Sequence, residues 1–381
     1  MYKTYETTFR GQKLSFGERF WNISFSYVLL ILILSGVGIV ILYSAANGKW
    51  DPWASKQLMH LGIGLAVMFV VAFVDLRYFL RYAYWFYALV LVMLVFVEIN
   101  GYVGMGAQRW INLGIIKLQP SELMKIALVL ALARYFNSVN LQTIETIKGI
   151  IVPLLMTIIP VGLVLIQPDL GTAIMLLATA GAIFFAVGVQ LWKFAVVFLL
   201  GAASIPFGWH FLHNYQKNRV LTFLDPERDP LGAGYHIIQS KIALGSGGIF
   251  GKGFLNGTQS HLNFLPEKHT DFIFTMLSEE FGMIGGIFVI TINFLIIGFS
   301  YFFALRSSSY FGKLVAIGLT CSYFLYVLIN IAMVLGLLPV VGVPLPLVSY
   351  GGTVVVSVMT GFGIILAVNS NRMINIGKDQ G

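Results

Sequence analysis

Apolar residues in this chain fall in long, nearly unbroken runs. They do not show the three-to-four-residue spacing of an amphipathic helix or the alternation of a half-buried strand. Scanning for runs of roughly 17 to 25 apolar residues gives ten, near 23–45, 58–75, 82–100, 122–136, 149–166, 171–188, 190–208, 271–303, 310–337 and 348–370. A helix rises about 1.5 Å per residue, so runs of this length match a hydrocarbon core of about 30 Å. The fourth run is short and the eighth long. The pattern predicts an all-α integral membrane protein with ten transmembrane helices and one large extracytoplasmic loop between helices 7 and 8. Residues 1–381 form a single polytopic domain, with an N-terminal tail at 1–22, the loop at 209–270 and a C-terminal tail at 371–381. There is no repeat of fixed period, no low-complexity tract and no separable soluble domain.

Composition agrees with that reading. Only 10% of residues are charged, against about 25% in soluble domains, and the mean hydropathy is +0.84. The net charge of +8 does not imply a nucleic-acid partner, because the basic residues sit mostly in short segments between apolar runs, where they set topology and meet anionic headgroups. With the N-terminus inside, 13 of the 24 basic residues fall in short cytoplasmic segments. Another six, Lys217, Arg219, Arg228, Lys241, Lys252 and Lys268, lie in the long loop, and long translocated loops are largely exempt from the positive-inside bias. Both termini are therefore expected in the cytoplasm. The first apolar run is too long for a signal-peptide core, so no cleavage is expected. The single cysteine, Cys321, lies inside an apolar run and reads as a small core residue.

The loop holds five of the six histidines and the glycine-rich stretch KIALGSGGIFGKGFLNGTQS (Lys241 to Ser260). Its aromatic and aliphatic content argues for a segment folded back on the membrane surface, partly as short amphipathic helices. His210 and His213 have a ligand-compatible spacing but no matching carboxylate set, and read as interfacial histidines rather than a metal site. The loop ends in FLPEKHTDFIFTMLSEEF (Phe264 to Phe281), which carries Asp271 to the expected start of the eighth helix and two further acids, Glu279 and Glu280, beyond it. On a helix, Thr275, Ser278 and Glu279 lie about 40°, 20° and 80° from Asp271, which makes a polar stripe. Facing lipid would cost such a stripe several kcal/mol, so a cavity open to the far side is expected. The plainer alternative is helix capping by Thr270 and Asp271, which leaves Glu279 and Glu280 unexplained.

Two further polar clusters share that face. In AQRWINLGIIKLQPSELMK (Ala107 to Lys125), Glu122 and Lys125 have the i,i+3 spacing of a buried pair, and Arg109 beside Trp110 offers a fixed cation and an interfacial anchor. The alternative is an anchor plus a surface ion pair. In GLLPVVGVPLPLVSYGGTVVVS (Gly336 to Ser357), the segment Ser349, Tyr350, Gly351 and Gly352 could break a helix entry and expose backbone donors to an anion. Cations, backbone donors and a carboxylate together suit a pyrophosphate group. The nucleotide-binding glycine motifs and the serine-lysine nucleophile motif are absent, so an activated, lipid-linked substrate is expected.

The segments LPEKHTDFIF, QPSELMK, AQRW and the spaced pattern from Asn330 through LVSYGG resemble the shape, elongation, division and sporulation (SEDS) family, whose members include RodA, FtsW and SpoVE. GTQSHLNFLPEKHTDFIF, NRVLTFLDPERDP and the short tails look more like the RodA branch. Val354 departs from the family's usual Ser or Ala. The resemblance spans nearly the whole chain. It implies a peptidoglycan glycosyltransferase of the bacterial cytoplasmic (inner) membrane that polymerises lipid II onto a growing glycan strand during cell elongation. Its implied partners are a class B penicillin-binding protein of the PBP2 transpeptidase type and elongation-complex membrane proteins.

The family's essential aspartate corresponds to Asp271, read as a general base. Glu122, Lys125, Arg109 and Trp110 match the family's other polar motifs. Arg219, Glu267, Lys268, His269, Ser349, Gly351 and Gly352 complete the candidate substrate site. Charge on the leaving pyrophosphate would be met by Arg109, Lys125, Arg219 or Lys268, or by a divalent cation (Mg or Mn) held partly by substrate oxygens. Two alternatives are a lipid flippase, whose need for access from both faces fits poorly with one-sided charge, and a non-catalytic scaffold, which leaves the Asp271 stripe without a purpose.

Overall fold

A computed structural model describes residues 16–104, 107–112, 117–211, 217, 221–223, 225, 233–258 and 268–374. The elements are α1 (Phe16–Trp21), α2 (Phe25–Ala45), α3 (Trp53–Ala72), α4 (Leu76–Asn100), β1 (Tyr102–Gly104), β2 (Ala107–Asn112), β3 (Lys117–Leu118), α5 (Pro120–Ser138), α6 (Leu141–Glu145), α7 (Ile147–Ile166), α8 (Leu170–Val187), α9 (Leu191–Phe211), α10 (Ala233–Ser246), α11 (Ile273–Arg306), α12 (Tyr310–Val334) and α13 (Gly352–Ser370).

Eight helices among the described residues are long and apolar enough to span a membrane: α2, α3, α4, α7, α8, α11, α12 and α13. The other two expected runs are also helices, α5 and α9, and α5 differs from the simple reading. α5 carries Glu122, Lys125 and Arg134, yet 15 of its 19 residues are buried. Protein surrounds it, so it needs no lipid-facing apolar surface and can hold charge that a peripheral helix could not. α9 covers the seventh run, over Leu191–Phe211.

Contacts between helix ends sort them onto two faces. On the near face, Arg134 donates to the Arg81 carbonyl, Lys193 to the Glu145 carbonyl, and the Ser308 N–H to the Arg372 carbonyl. Asp75 is the anchor there. It caps α4 by accepting from the Arg77 N–H at 3.0 Å, and it pairs with Arg19 at 2.9 Å and Arg77 at 3.0 Å. Burial alone would raise its pKa, but the hydrogen bonds and charge of Arg77, with the charge of Arg19, pull it down to about 2.

The far face departs from an all-α reading in one place. The connection after α4 forms a small antiparallel sheet in the order β1-β2-β3, with Tyr102 opposite Trp110 and Ile111 opposite Leu118. The α12–α13 connection folds back into the bundle, where Leu345, Leu347, Val348 and Ser349 are all buried. Irregular backbone at this depth is tolerated only where protein covers it. Close approach makes the cover possible: a Cβ on Gly38 of α2 would lie 2.4 Å from the Leu347 carbonyl oxygen and 2.7 Å from the Val348 Cα.

α11 is broken. Gly282 has φ 66° and ψ −163°, outside the helical region and open only to glycine. Glu280 accepts from Ser44, in the last turn of α2, at 2.5 Å, so the two acids lie level with the far end of α2. Residues 273–281 precede the break, and a second helical stretch, 283–306, follows it.

Candidate functional site at the far face

Asp271 does not lie in the first turn of α11, as the sequence pattern suggests, but in the turn just before it, with Phe272 as N-cap. Asp271 is half-buried, and two elements, α12 and the α12–α13 connection, hold the backbone around it. Asn330 of α12 donates its side-chain amide to the Asp271 carbonyl at 2.9 Å and to the Val343 carbonyl at 2.7 Å. The Ser349 hydroxyl donates to the Thr270 carbonyl at 2.6 Å and accepts from the Leu345 N–H at 2.8 Å. The Tyr350 N–H donates to the His269 carbonyl at 2.9 Å. Gly342 faces the carboxylate: a Cβ there would stand 3.5 Å from Asp271 Oδ2.

This arrangement corrects the reading of the Ser349–Gly352 segment as exposed backbone donors. The Tyr350 donor is taken by His269, and the Gly351 N–H by the Gln57 side chain at 3.4 Å, while Gln57 donates in return to the Ser349 carbonyl at 3.0 Å. The segment is a clamp on residues 269–271. Gly352 opens α13, and a Cβ there would lie 2.7 Å from His60 Nε2, so glycine lets α13 start against α3. His269 stacks on Trp53 with ring centroids 4.4 Å apart and planes at 10°. Lys268 is buried, and that burial lowers its pKa from the usual lysine value. Glu267, Arg219, His213 and His261 lie outside the described residues.

The expected polar stripe exists, and among the described residues it is covered by protein. Thr275 shares a 2.8 Å hydrogen bond with Ser240 of α10, and Ser240 also donates to the Val334 carbonyl at 2.9 Å. Glu279 is fully buried and pairs with Lys252 at 2.8 Å. The loop therefore closes over α11 instead of leaving the stripe to water.

Glu122 and Lys125 form the expected buried pair, at 2.7 Å. Tyr326 of α12 is a third member that the pattern did not reveal. Its hydroxyl donates to Glu122 and meets the Lys125 ammonium, which also lies over its ring at 4.0 Å from the centroid. Ser357 donates to the Glu122 carbonyl at 3.1 Å, and a cavity of about 30 Å³ adjoins Lys125, Tyr326 and Ser357. That space is enough for about one water molecule.

Arg109 on β2 is also committed. It donates to the Gln167 carbonyl at 2.9 Å and to the Pro168 carbonyl, with Nη1 3.9 Å from Asp169 Oδ2. Asp169 caps α8 through Thr172 and accepts from Gln119 at 3.2 Å. It was missed because an acid at a helix start reads as an ordinary cap. Trp110 is half-buried beside Arg109. Arg109 thus ties β2 to the start of α8, and Lys125 ties α5 to α12. Among the described residues, no group of three His, Cys, Asp or Glu side chains could hold a metal ion.

Comparison with known proteins places this arrangement in context. The chain is 44% identical over 346 residues to the peptidoglycan glycosyltransferase MrdB of Escherichia coli K12, covering 91% of this chain and 93% of that protein. It is 34% identical over 352 residues to the stage V sporulation protein E of Bacillus subtilis, covering 90% and 95%. Among solved structures, a chain of a peptidoglycan synthase complex that coordinates polymerization and crosslinking matches with TM-score 0.79 at 33% identity, covering 92% of this chain and 98% of that one. The rod shape determining protein RodA of Thermus thermophilus matches with TM-score 0.70 at 27% identity, covering 92% and 97%. The profile of the FtsW, RodA and SpoVE cell cycle proteins matches residues 23–374. The chain belongs to that family.

Proposed function

We propose that this chain is a peptidoglycan glycosyltransferase that polymerises lipid II into β-1,4-linked glycan, with inversion at the anomeric carbon and Asp271 as the general base. The observation that carries the proposal is a half-buried carboxylate at the far face, its backbone held by α12 and by the re-entrant α12–α13 connection. A base works when its position is fixed relative to the proton it takes. Lipid II is α-linked through pyrophosphate and the glycan is β-linked, so a single displacement is sufficient. The acceptor 4-hydroxyl attacks the donor's anomeric carbon, Asp271 takes its proton, and the C1–O bond to pyrophosphate breaks. Because pyrophosphate is a good leaving group, a second carboxylic acid is not needed to protonate it, unlike in glycoside hydrolysis.

Lys268, three residues before the base, and Arg219 of the same loop are candidates to meet leaving-group charge. Among the described residues no group makes a Mg or Mn site by itself. The family resemblance and the synthase-complex relative support a class B penicillin-binding protein as the cross-linking partner, within an elongation complex. The family resemblance supports localisation in the bacterial cytoplasmic membrane, and the distribution of basic residues supports both termini inside, which would put Asp271 on the extracytoplasmic side. The test is incubation of purified protein with lipid II, alone and with its partner. β-linked strands are the expected product. If the wild type makes none while the partner is active, the reading fails and the flippase alternative takes its place.

A further inference from the structure

The break in α11 frees backbone groups that a continuous helix would satisfy internally, and the glycine-rich turn of the long loop satisfies them. The N–H groups of Lys252 and Gly253 donate to the Glu279 and Glu280 carbonyls, both at 3.0 Å. In return, the Met283 and Ile284 N–H groups donate to the Gly248 and Ile249 carbonyls at 2.9 and 3.2 Å. The fit depends on glycine on both sides. A Cβ on Gly251, whose φ is +80°, would lie 2.1 Å from the Glu280 carbonyl oxygen, and one on Gly282 would lie 2.3 Å from the Gly251 nitrogen. One ion pair closes the junction: Lys252 Nζ lies 2.8 Å from Glu279 Oε1 and donates to Thr258 at 2.7 Å, with Glu279 fully buried.

Glu279 sits two helical turns from Asp271 on the same short segment, whose other end is held by Asn330 and Ser349. The segment is thus pinned at both ends, and the loop-side pin is an ion pair on a glycine hinge. We propose that Lys252, acting through Glu279, is a positioning residue for Asp271: the pair holds the turn in the break and so fixes the direction in which the 271–281 segment presents its carboxylate. This rests on the reading of Asp271 as the base. Lys252 does not touch substrate in this account, so its loss slows turnover without weakening binding. A displacement of about 1 Å at the reacting centre can cost about 100-fold in rate.

The experiment compares wild type with Lys252→Arg, Lys252→Met and the double variant Lys252→Met/Glu279→Gln. The double variant leaves no unpaired buried charge, and its folding is followed by thermal melting. Two quantities are read: polymerisation of lipid II, resolved into kcat and KM, and amide hydrogen exchange. The double variant is expected to melt close to wild type. Its exchange should be at least about tenfold faster in 248–253 and 279–284 only, and its kcat lower by about 10- to 100-fold with KM within about twofold. Lys252→Arg should retain most activity. Faster local exchange with unchanged kcat would overturn the proposal, as would unchanged exchange at the junction or an exchange increase spread over the whole bundle. A wild type that makes no glycan would fail the Asp271 reading instead, and the exchange data would still decide whether the ion pair holds the junction.

Discussion

Glu122, Lys125 and Tyr326 show what a membrane-embedded charge requires. Both charged side chains are almost fully buried, where an ion pair gains little over a well-packed apolar pair but becomes costly once one partner is lost. Lys125→Met should therefore destabilise the protein by about 3–5 kcal/mol, and the double variant Glu122→Leu/Lys125→Met should recover most of that loss. Melting temperatures in detergent would check this, and equal melting of the single and double variants would contradict it. The pair was legible from its i,i+3 spacing in PSELMK. Tyr326 was not, because a tyrosine in an apolar run carries no signal until folding brings α12 against α5. Arg109 shows the opposite limit. Its type was readable as an anion ligand, but its partners, the Gln167 and Pro168 carbonyls, are backbone groups more than fifty residues away, and no side-chain pattern encodes them.

The helices were located by their apolar runs, and the departures arise where a neighbour changes what an element needs. α5 is short of apolar residues because other helices surround it. α11 is long because it joins two helical stretches at Gly282, though a glycine close to Gly285 and Gly286 in an apolar run does not by itself announce a break. The Gly336–Ser357 connection was legible as irregular from its prolines and glycines, but its role as a clamp on residues 269–271 depends on contacts that only the fold creates. Gly38 tests that clamp. Gly38→Leu would drive a side chain into the Leu347 and Val348 backbone and should cost about 1–3 kcal/mol or more. Because Ser349 moves with that turn, polymerisation should fall further than the loss of stability explains. Melting and turnover measured on the same sample would check this, and full activity at wild-type rates would contradict it.

The two faces of the molecule differ, with the near face anchoring the bundle and the far face holding the proposed base. At the near face, the folded pKa of Asp75 lies at about 2, below the ordinary 3.8. A carboxylate with a depressed pKa stabilises fully above the ordinary value and loses that contribution as pH falls through the folded value. The melting difference between wild type and Asp75→Asn should therefore be constant above about pH 5 and shrink between about pH 4 and 2; a difference that grows on acidification would contradict it.

At the far face, a loop, a re-entrant connection and the broken helix α11 converge on Asp271. The measurement that bears most directly on this account is the rate of lipid II polymerisation by purified Asp271→Asn, with partner present, alongside its affinity for lipid II. General-base catalysis supplies about 100- to 10,000-fold. The account predicts a rate loss of at least that order with binding and melting close to wild type. Glycan synthesis by the variant within about twofold of wild type would contradict it.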